Sequence, residues 1–142
     1  MKEKKQSANW YIAVTHYLTS GLAIPFVINL ALGFPLVAIF AGNMLALQIS
    51  IVLVGLLAIW LGVKYSAWYI NKTYIVENFS KVVNISTIYF VVLKMGWTLL
   101  SMPKVINNNY LIQVLFAIIN CVVFYLLSKK YLNNTEIISV SQ

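Results

Sequence analysis

Apolar, uncharged residues run almost without interruption from Trp10 to Val63, and the pattern returns twice after residue 82. No Asp, Glu, Lys or Arg occurs in residues 6–63, so 58 consecutive residues carry His16 as their one readily ionisable side chain. A bilayer core is crossed by about 20 helical residues, and a stretch this long must cross and return. The pattern predicts four spans, at 10–30, 44–63, 82–100 and 110–127. Trp10, Tyr11 and Tyr17 crowd the start of the first span as an interfacial aromatic belt does. Gly33, Phe34 and Pro35 then break the pattern, and Gly42 with Asn43 break it again. A buried loop or an interfacial half-helix is expected between these breaks, at 36–41.

The second span ends in Lys64, Tyr65, Trp68, Tyr69 and Lys72, a mixture suited to a helix emerging through headgroups and free to continue beyond them. Residues 72–81 form the most polar internal stretch and the natural loop. Pro103, Lys104 and the triplet Asn107, Asn108, Asn109 predict a tight turn, because Pro cannot continue a helix and Asn favours turn geometry. The third and fourth spans are then antiparallel neighbours. One transmembrane domain at 10–128 is left with two short tails, 1–9 and 129–142.

Composition strengthens this picture. Of 142 residues 61% are hydrophobic and 9% charged, against roughly 25% charged in a soluble domain, and one small core cannot hide so much apolar surface. The fold class expected is all-α: a polytopic integral membrane protein built as a four-transmembrane-helix bundle, with the lipid bilayer as its first partner. The apolar run after Trp10 has no break suited to signal cleavage, which makes it a retained helix. Cys121 is the one cysteine, so no intrachain disulfide and no CxxC pair can form. The wealth of Lys, Asn and Ile with no Arg suits an AT-rich, prokaryotic coding bias.

The net charge of +7 comes from ten Lys and no Arg, placed at the edges of apolar runs. Such placement argues for topology signals and against nucleic acid as a partner. With four spans, Lys2, Lys4, Lys5, Lys64, Lys72, Lys81, Lys129 and Lys130 fall on one side, Lys104 on the other, and Lys94 within a span. The lysine-rich side is expected to be cytoplasmic, with both termini inside and the protein in the cell (inner) membrane. Three or five spans would set Lys129 and Lys130 opposite Lys2. The sequons at Asn71, Asn78, Asn84 and Asn133 fall on or beside that side and are expected to stay unglycosylated.

Chemistry enters only through polar groups in the spans. Lys94 is placed roughly 18 Å along its helix, where a central Lys costs about 3 kcal/mol. It either faces a partner, a water-filled cavity or a substrate, or snorkels to the outer interface. His16 is suited to relaying protons or to bonding between helices as a neutral ring. Asn29, Asn43, Gln48, Ser50 and Asn120 each need a partner in lipid and are expected to stitch helix to helix, at about 0.6 kcal/mol apiece. Thr15, Thr19, Gly21, Gly55 and Gly62 are small enough for close helix contact. Lys64, Lys72, Lys81, Lys129 and Lys130 could meet anionic lipid at about 1 kcal/mol per cation, although orientation alone accounts for them.

The segment Pro25, Phe26, Val27, Ile28, Asn29 recurs in part as Pro103, Lys104, Val105, Ile106, Asn107, and in that register His16 falls on Lys94. A true duplication would give two parallel hairpins. Val, Ile and Asn are common enough here for chance to supply the match.

No catalytic, cofactor-binding or metal motif stands out, no Asp or Glu lies in a span, and the loops are short. The expectation is a non-enzymatic subunit or scaffold that packs against itself, as a homo-oligomer, or against another membrane protein. The alternative is a small homo-oligomeric transporter or channel with His16 and Lys94 lining a pathway. A lipid-modifying enzyme ranks third, since such enzymes cluster Asp, His or Arg at the interface.

Overall fold

The computed structural model describes residues 4–103 and 108–133, apart from the side chains of Asn109 and Asn133. Four helices account for nearly all of them: α1, Asn9–Phe40; α2, Met44–Thr73; α3, Phe79–Leu100; and α4, Asn108–Asn133. Each contains a stretch long and apolar enough to cross a membrane. They run up, down, up and down. Two short strands, β1 (Lys5–Gln6) and β2 (Tyr74–Ile75), pair in parallel with Lys5 opposite Tyr74. Gln6 Nε2 also donates to Glu77 Oε1 at 3.1 Å. β1 is thereby fastened to the α2–α3 loop.

The break expected at Gly33 to Pro35 does not occur, and the loop or half-helix expected at 36–41 is a continuation of α1. The helix passes through two π-helical segments, Leu18–Ala23 and Asn29–Gly33, each just ahead of a proline. A proline ring removes one N–H and presses on the carbonyl four residues back. The wider π register makes room before the ring. At the first segment the Ile24 N–H bonds to the Thr19 carbonyl, five residues back. Asn29 Nδ2 donates to the Pro25 carbonyl at 2.8 Å. Both bonds stay within the helix, and α1 survives both prolines.

The turn falls at 41–43, where Asn43 Oδ1 accepts from the Ala46 N–H at 3.1 Å and so caps α2. At its other end α2 passes the expected limit of Val63 and reaches Thr73. The added residues are amphipathic: Ser66, Ala67 and Ile70 are buried, while Lys64, Tyr65, Trp68, Tyr69 and Lys72 are exposed. α3 starts earlier than expected because Asn78 Oδ1 accepts from the Lys81 N–H at 2.8 Å. α4 takes in Asn108 and the backbone of Asn109, which the sequence suggested for the turn. Pro103 lies past the end of α3 whereas Pro25 lies inside α1, so the two proline segments start in different backbone structures. Lys104 to Asn107, the rest of the second segment, lie outside the described residues, as do Lys2 and the tail from Asn134.

The core is lopsided. At the end that carries the β pair, Ile12, Ala13, Ala67, Ile70, Val82, Val83 and Leu132 interlock from all four helices. A second layer follows, of Tyr17, Ile59, Val63, Phe90, Cys121 and Phe124. Phe90 and Phe124 stack there with centroids 4.2 Å apart. Nothing in α1 from Ile24 to Phe40 is buried. We call the packed end closed and the other end open.

Candidate functional site

His16 lies in the closed half with none of its surface exposed. Its Nδ1 stands 2.8 Å from Ser66 Oγ on α2, and its Nε2 stands 2.9 Å from Ser128 Oγ on α4. Ser20 Oγ donates to the His16 carbonyl, and Ser66 Oγ reaches the same carbonyl at 3.5 Å. One assignment uses every proton: Nδ1–H donates to Ser66, Ser66 to the carbonyl, and Ser128 to Nε2. A neutral imidazole meets that demand, with one donor and one acceptor. The ring also sits 5.7 Å from the Phe124 centroid. His16 therefore ties three helices together and lines neither cavity described below.

Lys94 is placed elsewhere. It is exposed on α3, fifteen residues past Phe79, about 22 Å along the axis. It lines a cavity of about 320 Å³ at the open end that draws on all four helices. α1 supplies Asn29, and α2 supplies Ile51, Val52 and Gly55. α3 adds Trp97, Thr98 and Ser101 to Lys94, and α4 adds Gln113, Phe116, Ala117 and Asn120. Half of these twelve residues are polar, in a part of the bundle flanked by apolar helix faces.

The hydrogen bonds sort those polar groups. Thr98 Oγ1 donates to the Lys94 carbonyl at 2.9 Å, and Ser101 Oγ to the Trp97 carbonyl at 2.7 Å. Asn29 has donated its amide to Pro25. Among the described residues, the Lys94 ammonium, the Trp97 indole N–H and the side-chain amides of Gln113 and Asn120 have no hydrogen-bond partner. Glu77, the one carboxylate among the described residues, is at the closed end beside Gln6, and Lys94 has no ion pair among those residues.

The remaining candidates divide by environment. Asn43 caps a helix instead of bridging two, because the N–H groups that open a helix have no partner of their own. Gln48 is half-buried on α2 and lines neither cavity. Of the five lysines considered for lipid contact, Lys64 lies 5.2 Å over Trp60, Lys72 5.1 Å over Trp68, and Lys130 5.8 Å over Tyr131. Lys81 is exposed in the first turn of α3. Lys129 borders a smaller cavity of about 120 Å³ with Ser80, Asn84 and Tyr125. All but Lys64 sit in the turns nearest the closed end.

Gly62 makes the close contact its size allows, but Gly55 does not: nothing stands within 4 Å of where its Cβ would be. Ser66 and Ser128 had no mark in the sequence beyond being small and polar within or just past predicted spans. Gln113 was equally unremarkable. Among the described residues no group of three or more His, Cys, Asp or Glu could hold a metal ion. No protein-family model, curated protein or solved structure matches the chain.

Proposed function

We propose that this chain is a four-span bilayer protein with both termini cytoplasmic, and that it works without covalent chemistry, as a subunit or scaffold packing against itself or a larger membrane complex. The lysine count supplies the orientation. The observation that carries the scaffold reading is the unburied stretch of α1 from Ile24 to Phe40. α1 and α2 have 32 and 30 residues, and α3 has 22. At 1.5 Å per residue α3 and the 23-residue apolar span of α4, Tyr110–Leu132, come near the roughly 30 Å hydrocarbon thickness, and the first hairpin overruns it. Its uncharged tip includes Phe34 and Leu45, each 71% exposed. A helix too long for its bilayer tilts, kinks or gains a protein neighbour, and close packing is what joins helices in lipid.

The pathway reading keeps Lys94, which borders a polar cavity, and loses support from His16, whose ring nitrogens are occupied by serines. Size measurement in mild detergent, with recovery of bound proteins from native membrane, tests the scaffold. A homo-oligomer or a stoichiometric membrane partner is expected. A strict monomer that brings nothing with it would sink the reading.

A further inference from the structure

We propose that the open-end cavity binds the phosphate of an anionic phospholipid drawn from the leaflet nearest that end. Lys94 carries a charge that no carboxylate among the described residues offsets, and a cation within a span calls for a partner. The other unpartnered groups in its lining, the Trp97 indole and the amides of Gln113 and Asn120, carry N–H groups able to donate. A cation and three N–H-bearing side chains on the cavity walls supplied by α3 and α4 describe a seat for anionic oxygens.

Depth and opening point to a lipid. Lys94 is six residues short of Leu100, about 9 Å along the helix, so its flexible stem and a headgroup can meet. The rim is exposed at Ile51 and at Trp97, the latter to 73%. Both offer apolar surface along which an acyl chain can lie while the headgroup turns inward. At about 320 Å³ the cavity is near the small end of ligand sites, with room for a headgroup and not for a whole lipid. The proposal rests on the bilayer placement above and is independent of what the scaffold packs against.

The test uses the full chain in mild detergent, offered phosphatidylglycerol and phosphatidylcholine in equal amounts, with retained lipid counted by native mass spectrometry. Wild type is expected to keep phosphatidylglycerol about tenfold over phosphatidylcholine, the scale of one charge-assisted hydrogen bond. Lys94→Met should bring the ratio near one. Gly55→Leu, which adds bulk to the cavity from the wall that α2 supplies, where nothing stands within 4 Å of a Cβ, should remove the retained lipid without touching the charge, and decides the matter if Lys94→Met fails to fold. An unchanged preference in either variant overturns the proposal. So does loss of the preference in Lys129→Gln with Lys130→Gln, which would move the site to the closed end. Displacement of the lipid by inorganic phosphate alone would make the ligand a soluble anion and overturn the lipid assignment. Release of wild type by alkaline carbonate extraction would bring down the bilayer placement and this proposal together. Retention without a lipid preference brings down this proposal alone.

Discussion

Truncating His16 would leave Ser66 and Ser128 facing an empty space in a fully buried part of the bundle. The cost combines a core cavity with stranded hydroxyls, and we expect His16→Ala to lower stability by about 3 kcal/mol or more. Thermal unfolding in detergent measures it, and a melting curve like that of wild type would contradict the bridging role. The residue itself stood out in the sequence as the one titratable group in a long uncharged stretch. Its partners did not, because they lie 50 and 112 positions away and belong to a type that populates many helices without consequence. Lys94 was legible as a costly charge for the same reason of isolation. That Asn29 and Asn120 would meet it in one cavity, and that Asn43 would not, depended on helix rotation, which neutral residues in a uniformly apolar helix leave unmarked.

At the level of elements, the contact between α1 and α2 turns on one missing methyl. A Cβ on Gly62 would sit 2.6 Å from the Ser20 carbonyl oxygen, closer than real Cβ contacts come. Because the obstacle is backbone, Gly62→Ala must push the helices apart, at about 1–3 kcal/mol. Gly55→Ala meets open space and should be neutral or slightly stabilising, since Ala is the better helix former. Unfolding of the two variants side by side reads the difference, and equal behaviour would remove the crossing from the account. The four helices were legible because apolar runs of bilayer length have few other uses. The continuity of α1 was not, since Gly33 and Pro35 mark a break unless the turn before the proline widens, and nothing in the residue types announces that widening.

For the whole molecule, one closed end and one open end imply two chemically different faces. With Cys121 changed to Ser, single cysteines at Ala8→Cys and Glu77→Cys should resist a membrane-impermeant thiol reagent added outside intact cells. Met102→Cys should react. Labelling of all three from one side would refute the four-span arrangement, and the inverse pattern would refute the orientation. All three positions are exposed, so packing does not shield them.

The bonds of His16 also set an order of events. Its Nδ1 finds Ser66 as soon as the first hairpin exists, but Nε2 waits for a serine made 112 residues later. Until α4 packs against it, α1 carries a half-paired imidazole. A chain cut short of Ser128 therefore differs from one that includes it in a feature deep inside the bundle.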